Sequence, residues 1–224
     1  MTKRDMPFAV DEWYHCYNHS IEKRVAFADT RDYHRFLELL YLANDTSPLR
    51  RDSVGDREFE EVLHMPRSKR LVAIAAFSLT PTHFHLVLKE IENGGITAFM
   101  RKIGTAYPLY FNARHKRVGN LFLKPFRSRH VSTADHSFRR LINYVHYSPA
   151  EIFEPEWRTK HVVDPQFLGE RIAAYPYSSL SAHAGANTPT SAILDAEVFS
   201  VARTVPTQKM LQEALKYCAD SDIP

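Results

Sequence analysis

The sequence predicts an α+β fold in which an antiparallel sheet carries helices on one face. Three observations lead to this class. Residues 1–150 alternate short strand-like runs with amphipathic helical stretches, two of the strand-like runs are joined by a three-residue turn, and residues 151–224 are mostly helical with loops. The composition, 44% hydrophobic and 25% charged residues, is typical of a globular protein with a packed core.

The first elements are a strand and a helix. Residues 13–21, "WYHCYNHSI", are rich in aromatic side chains and predict a strand. Thr30 is expected to cap a helix in which Tyr33, Phe36, Leu37 and Leu40 recur at helical spacing. Residues 44–69 are polar and irregular, so we expect a surface insertion there, with one short helix at "REFEEVL".

A hairpin is expected next. Residues 71–79, "LVAIAAFSL", predict a buried strand, and Thr80-Pro81-Thr82 turns the chain into an antiparallel neighbour. Side chains alternate along a strand, so His83 and His85 are expected on one face and Phe84, Leu86 and Leu88 in the core on the other.

Two further helices and a strand complete this part of the chain. Residues 96–111 form an amphipathic stripe, in which Pro108 predicts a kink or a break. A turn and a strand are expected within residues 117–131, and Ser132 or Thr133 is expected to cap a helix that Pro149 helps to end. The order β-α-β-β-α-β-α is that of a ferredoxin-like fold with an appended helix.

These elements suggest a functional domain at residues 8–150, with its polar insertion at about 44–69, followed by a helical C-terminal extension at 151–224. In the extension, Cys218 shares an apolar helix face and is expected to be buried. Cys16 and Cys218 are too few for a disulfide framework, no apolar run is long enough to span a membrane, and no secretory signal is visible. We therefore expect a cytoplasmic protein with no membrane partner.

The positive charge is concentrated in one part of the chain. Residues 101–140 contain ten Lys and Arg but only one acidic residue, Asp135, and they also carry Tyr107, Tyr110, Phe111, Phe122 and Phe126. Basic residues interleaved with aromatic ones suit phosphates and stacked single-stranded bases, although a basic solvated face is the simpler alternative. The residues expected to bind nucleic acid are Arg101, Lys102, Arg114, Lys116, Arg117, Lys124, Arg127, Arg129 and Arg140.

The pair His83 and His85 could hold a metal ion, but one H-x-H match is weak evidence and an ordinary surface pair is the simpler interpretation. Tyr144 lies about 110° from the centre of the apolar face of the predicted last helix, which is also ordinary for a half-buried tyrosine. Together, the histidine pair, the basic block and the following tyrosine are the parts of a tyrosine nuclease, in which a metal polarises a phosphate that the phenol attacks.

Several motifs strengthen this hypothesis. "TPTHFHLVL" resembles "MPNHFHLLL" of the single-tyrosine HUH transposases, and "YVHYSPA" resembles their "YIHlNPV". The segments "YHCYNHSIEKRVAFADTRDYHRFLELL", "TAYPLYFNARHKRVGNLFLKPFRSRHV" and "YPYSSL" are also similar to family elements, so the resemblance covers most of residues 12–180. Within the family, the sequence is most similar to the REP-associated tyrosine transposases of bacteria.

The resemblance implies nicking and strand transfer of hairpin-bearing single-stranded DNA near the nucleoid, with Mg²⁺ or Mn²⁺ and a 5′-phosphotyrosine intermediate. It implies that His83 and His85 bind the metal, that Tyr144 is the nucleophile, and that a homodimer can form. Ser148 occupies a position that can supply a third metal ligand, where the family often has Asn, and His146 is a possible substitute. Thr82 replaces the usual Asn before the histidines, and the insertion at 44–69 has no assigned role.

Two alternatives stay open. A domesticated relative could keep the DNA surface and lose nicking, and the serine at position 148 is consistent with this. A metal-dependent hydrolase of small molecules could also use H-x-H, but such an enzyme has no need of the basic block.

Overall fold

The computed structural model describes residues 7–49, 55–133, 136–159, 162, 164–201 and 207–220. Within these residues, four strands form an antiparallel sheet in the order β2-β3-β1-β4. The strands are β1 Trp13–His19, β2 Val72–Thr80, β3 His83–Glu90 and β4 Arg127–Val131. With a helix between β1 and β2 and another between β3 and β4, the structure confirms the predicted ferredoxin-like α+β class.

Helices connect and follow the strands. They are α1 Thr30–Leu42, α2 Phe59–Val62, α3 Gly95–Arg114, α4 Ser137–Tyr147, α5 Ala150–Phe153, α6 Pro165–Ala173, α7 Leu180–His183, α8 Val198–Val201 and α9 Thr207–Ala219. Short 3-10 turns occur at Ile21–Lys23 and Pro189–Ile193. No helix within the described ranges has the length and apolar character needed to cross a bilayer.

Three details of the helices differ from the sequence-based expectations. The cap of α1 is Asp29, one residue before Thr30, because the Asp29 carboxylate accepts bonds from two free N–H groups of the first turn. The helix α3 continues through Pro108 without the break that this proline could have caused. The cap of α4 is His136, not Ser132 or Thr133.

One face of the sheet is covered by α1 and α3. Phe36 and Leu40 of α1, and Phe99 and Ile103 of α3, are buried in one hydrophobic cluster with the side chains of Phe84, Leu86 and Leu88 from β3. The helical spacing of these residues brings each apolar stripe onto the sheet. This layer agrees with the predicted core face of the histidine strand.

The opposite face is covered by α4 and by the C-terminal segment. Leu141 and Val145 of α4, Trp157, Ile172 of α6 and Ala214 of α9 are buried in a second cluster that reaches Val87 of β3. The sheet is therefore enclosed on both faces. On α9, Met210 is buried, whereas Cys218 is only partly covered and not fully buried as expected.

The C-terminal segment also bonds to the outer edge of β2. The backbone N–H of Leu79 donates to the carbonyl of Tyr177, and Ser179 N–H donates to the carbonyl of Phe77. Asp195 N–H donates to the carbonyl of Ile74 at the other end of the strand. The division into a domain at 8–150 and an extension at 151–224 stays a prediction, but the described part of the extension packs directly against the sheet.

Candidate active site

Four histidines lie on the sheet face that α4 covers. His83 and His85 come from β3, separated by one residue as the strand period requires. The register of β1 against β3 places His19 opposite His83 and Tyr17 opposite His85. His15 precedes Tyr17 by two residues on β1 and therefore lies on the same face. The antiparallel pairing therefore adds two histidines to the predicted pair.

Burial keeps these imidazoles neutral. The exposed fractions of His15, His83 and His85 are 0%, 3% and 1%. Desolvation lowers the pKa of His15 and of His83 to about 3, and lowers the pKa of His85 well below its ordinary value. A neutral imidazole has a free nitrogen lone pair, which is the form that binds a metal ion.

Hydrogen bonds fix the two predicted ligand rings through their Nδ1 atoms. The Nδ1 of His85 lies 2.9 Å from Nε2 of His15, whose own Nδ1 lies 3.2 Å from the hydroxyl of Tyr217. The Nδ1 of His83 lies 3.0 Å and 3.2 Å from the hydroxyls of Thr80 and Thr82. Such supporting bonds orient metal-binding histidines, and Thr82 supplies one although it departs from the resembled motif.

The Nε2 atoms of His19, His83 and His85 are all buried without a hydrogen-bond partner. A buried polar atom without a partner lowers the stability of the fold. Three such atoms on side chains that are neighbours in space are typical of a site that binds a ligand. The donor type suits a divalent ion. However, no three His, Cys, Asp or Glu side chains in the described ranges already converge to hold one.

The two other predicted donors make bonds elsewhere. The hydroxyl oxygen of Ser148 lies 3.0 Å from that of Ser78 and 2.9 Å from the carbonyl of Val145. His146 is buried with its Nε2 2.8 Å from the hydroxyl of Ser179. Ser148 stays a predicted ligand, and the structure places His146 in a separate polar cluster.

Tyr144 lies directly against the histidines. Its side chain is fully buried, and its ring centroid lies 5.4 Å from that of His85 and 5.8 Å from that of His15. Its hydroxyl has no hydrogen-bond partner, and burial raises the pKa of the phenol above its ordinary value. The helix flank expected to be half-buried is covered because Tyr217 of α9 packs on it, with 5.2 Å between ring centroids.

Tyr147, the other tyrosine of this turn, has different surroundings. Its ring packs against Trp157 with 5.1 Å between centroids, and burial raises the pKa of its phenol to about 12. Ring contacts to the histidines are found for Tyr144 and not for Tyr147 among the described residues. The structure therefore places the two tyrosines of this turn in different surroundings, with Tyr144 as the one beside the histidines.

Arg158 and Glu151 belong to the site, although sequence reasoning gave neither a role. The guanidinium carbon of Arg158 lies 5.6 Å from the ring centroid of Tyr144, and Arg158 pairs with Glu151 at 3.4 Å. The other oxygen of Glu151 lies 3.3 Å from Nδ1 of His83. Besides burial, the positive charge of Arg158 lowers the pKa of His83 and His85. No motif in the sequence marks these residues.

The nine predicted DNA-binding residues fall into two groups. Five make bonds within the protein, to Ser47, Asp29 and Asp32, Asn112 or Asp220: Lys102, Arg114, Arg117, Arg129 and Arg140. Four are exposed, and their side chains make no hydrogen bond or ion pair with another described residue: Arg101, Lys116, Lys124 and Arg127. The register of β4 against β1 places Arg127 opposite Tyr17 and Arg129 opposite His15, so cations flank the histidine face.

No protein-family model matches the sequence, and no curated protein is significantly similar to it. A solved structure described as the REP-associated tyrosine transposase bound to a REP hairpin is similar in fold. The two chains share 11% identity and a TM-score of 0.52, over 92% of this chain and 99% of the other. At this identity the likeness shows the fold, which is the fold that the sequence resemblance implied.

Proposed function

We propose that this protein is a metal-dependent enzyme that nicks and rejoins single-stranded DNA, with Tyr144 as the nucleophile. The observation that carries this proposal is the contact between the Tyr144 ring and the His85 ring at 5.4 Å, with the hydroxyl and the Nε2 atoms of His83 and His85 buried and unpartnered. A nucleophile and two metal-type donors thus lie together in one buried site.

Hairpin-bearing single-stranded DNA is the proposed substrate, bound by the protein in the cytoplasm near the nucleoid. The solved structure of similar fold is described as bound to a REP hairpin. Arg127, Lys124 and Lys116 support the same partner here, because exposed cations that make no internal ion pair are available to phosphate oxygens. These three residues lie in the basic block at residues 101–140, which stands out because the net charge of the whole chain is only +3.

His83 and His85 are the residues that would hold Mg²⁺ or Mn²⁺, which would polarise a phosphate oxygen and neutralise charge that develops on it. Their Nδ1 bonds orient both rings before any ligand arrives. The phenol of Tyr144 first gives its proton to water, and the positive charge of Arg158 favours the phenolate that remains. The phenolate oxygen then bonds to phosphorus while the bond from phosphorus to the 3′-oxygen breaks, and that 3′-oxygen takes up a proton from water. The 5′-phosphate is then esterified to Tyr144 and the strand leaves with a free 3′-hydroxyl.

The phosphotyrosine ester keeps the energy of the broken bond, so a 3′-hydroxyl can reverse the step and join strands without ATP. Tyr144 and His85 are neighbours within one chain. The proposal therefore places the nucleophile beside the metal ligands of its own subunit, and a homodimer is not required for nicking.

The test is covalent trapping. Incubation with labelled single-stranded hairpin DNA and Mn²⁺ should give a protein–DNA adduct that survives SDS, and Tyr144→Phe should abolish it while DNA binding remains. Tyr147→Phe is the matched control and should keep the adduct, because that ring packs on Trp157. If peptide mapping found the DNA attached to another residue, the assignment of Tyr144 as the nucleophile would be wrong.

A DNA-binding protein without nicking activity is the second candidate. It is favoured by the bonds that Ser148 makes to Ser78 and Val145, and by the lack of three converged metal donors among the described residues. The same trapping experiment separates the two candidates. This one predicts a mobility shift with hairpin DNA and no adduct with any divalent ion.

A further inference from the structure

We infer that His19 is the third imidazole that binds the catalytic metal ion, next to His83 and His85. The inference rests on the proposed function, since it completes the same metal site. It concerns a residue that the resemblance left without a role, because the position expected to supply a third ligand was Ser148.

The sheet register brings His19 to the pair. His19 is the last residue of β1 and lies directly opposite His83 in the antiparallel ladder. Side chains of directly paired residues project from the same face, so both rings point into the site. The ring centroids of His19 and His83 are 4.8 Å apart, and those of His83 and His85 are 4.9 Å apart.

The nitrogen needed for coordination is available. Nε2 of His19 is buried without a hydrogen-bond partner, as are the Nε2 atoms of His83 and His85. Three neighbouring imidazoles with the same atom unpaired are explained by one shared ligand, and nitrogen donors of this kind suit a divalent transition ion. The three donors do not yet converge among the described residues, so binding requires rotation of the half-buried His19 ring towards the His83 and His85 rings, which their Nδ1 bonds hold.

The other candidate donors are already engaged. Ser148 bonds to Ser78 and to the Val145 carbonyl, and His146 bonds to Ser179. Glu151 lies against Nδ1 of His83, which is the supporting nitrogen, and pairs with Arg158. His19 thus differs from these groups in having an unpaired donor atom beside the pair.

The surroundings of His19 suit a metal–phosphate site. Lys23 and Arg127, with Arg158, carry the positive charges that act on His19. These cations would disfavour a bare divalent ion, but they would bind the oxygens of a phosphate that the ion also contacts. The expected ligand of the complete site is therefore a divalent ion together with a DNA phosphate.

The test measures metal binding by the full chain in the absence of DNA. Mn²⁺ is titrated by calorimetry, and pulsed electron paramagnetic resonance counts the imidazole nitrogens bound to it. The wild-type protein should show three imidazole couplings. His19→Ala should show two, with Mn²⁺ affinity at least about tenfold lower. His130→Ala is the matched control, since His130 is an exposed strand histidine that bonds to Glu12.

The outcomes separate this inference from the proposed function. Unchanged affinity and three couplings in His19→Ala, with binding lost in His83→Ala, would overturn the role of His19 and leave the histidine-pair metal site intact. Absence of Mn²⁺ binding in the wild type, or unchanged binding in His83→Ala, would overturn both. Circular dichroism shows whether His19→Ala folds, and His19→Gln provides a second variant that removes the imidazole but keeps a polar side chain.

Discussion

At the residue scale, the site depends on groups far apart in sequence. His15 shows this clearly, because it bonds on one side to His85 and on the other to Tyr217, 202 residues later in the chain. These two hydrogen bonds connect Tyr217, His15 and His85 and hold the His85 ring in one orientation. A histidine that looks unremarkable in "WYHCYNH" therefore supports the predicted metal-binding pair.

Arg158 should affect the reactivity of Tyr144. Its guanidinium lies 5.6 Å from the Tyr144 ring centroid and lowers the pKa of that phenol, whereas burial raises it. In Arg158→Gln we expect adduct formation to slow by about tenfold, which corresponds to a pKa change of one unit, and the pH–rate profile to move to higher pH. Single-turnover adduct formation from pH 6 to 10 measures both effects.

The control for this variant is Arg171→Gln, whose guanidinium packs over Phe153 at 4.8 Å. It should leave the rate and the profile unchanged. An identical pH–rate profile in Arg158→Gln and wild type would exclude an electrostatic role for Arg158.

The sequence predicted the positions of individual site residues only in part. Strand alternation correctly placed His83 and His85 on one face, because that period is local. The same period applied to β1 would have placed His15 and His19 together on one face, but the pairing of β1 with β3 is needed to bring them to His83. The burial of Tyr144 depends on Tyr217 and Trp157, whose contacts no local pattern reveals.

At the scale of elements, the basic block separates into cations with different roles. Lys124 and Arg127 are exposed before and at the start of β4, without an internal ion pair among the described residues. Reversing both to Glu should weaken hairpin DNA binding and lower the slope of log affinity against log salt by about 0.7 for each lost phosphate contact. Fluorescence anisotropy over a salt series measures this slope.

The control is Lys209→Glu, which reverses an exposed charge on α9 outside the basic block. Its salt slope should match that of the wild type. Equal affinities and slopes in the control and in the Lys124 and Arg127 variant would show that these cations form only a solvated face.

Arg114 is expected to act on stability. It bonds to Asp29 at 2.7 Å and to the fully buried Asp32 at 2.5 Å, and so ties α3 to α1. Arg114→Gln should lower the free energy of unfolding, because the buried Asp32 loses a charged partner but keeps His115. Urea unfolding measures the change, with Arg101→Gln as an exposed arginine control on the same helix.

This expectation differs from the prediction that Arg114 binds DNA, which stays untested. Loss of DNA affinity in Arg114→Gln without loss of stability would return Arg114 to the DNA surface. The sequence showed the clustering of cations along the chain, but their carboxylate partners on α1 come from a different segment. Charge pairing of this kind depends on helix packing, which composition cannot show.

At the scale of the whole molecule, enclosure of the sheet on both faces makes folding sensitive to acid. The pKa values of buried His15 and His83 are lowered from about 6.5 in an unfolded chain to about 3. Between these values the unfolded chain binds protons that the folded protein does not. The free energy of unfolding should therefore be highest above pH 6.5. It should decrease towards pH 3, by up to about 1.4 kcal/mol per pH unit for each histidine.

Urea unfolding of metal-free protein in EDTA, at pH 7.5, 6.5 and 5.5, tests this expectation. The urea concentration at the midpoint should decrease when the pH is lowered from 6.5 to 5.5, and it should change little between pH 7.5 and 6.5. A constant midpoint over the whole range would mean that these imidazoles can be protonated in the folded state.

The topology of the sheet was predictable, because the β-α-β-β-α-β order follows from local periodicity and short connections. The second covering layer was not. The residues of α4, α6 and α9 were recognised as helical, but the face on which they pack is decided by contacts such as Trp157 with Tyr147, between segments with no shared pattern.

The bonds that the C-terminal segment makes to β2 also determine how two copies of this chain can meet. A free strand edge is a template on which another chain can add a strand, leading to open-ended aggregation. Tyr177, Ser179 and Asp195 already occupy backbone groups along that edge. The other edge, β4, is five residues long and carries Arg127 and Arg129, whose like charges repel a second copy. Pairing of two copies through either edge of the sheet is therefore disfavoured.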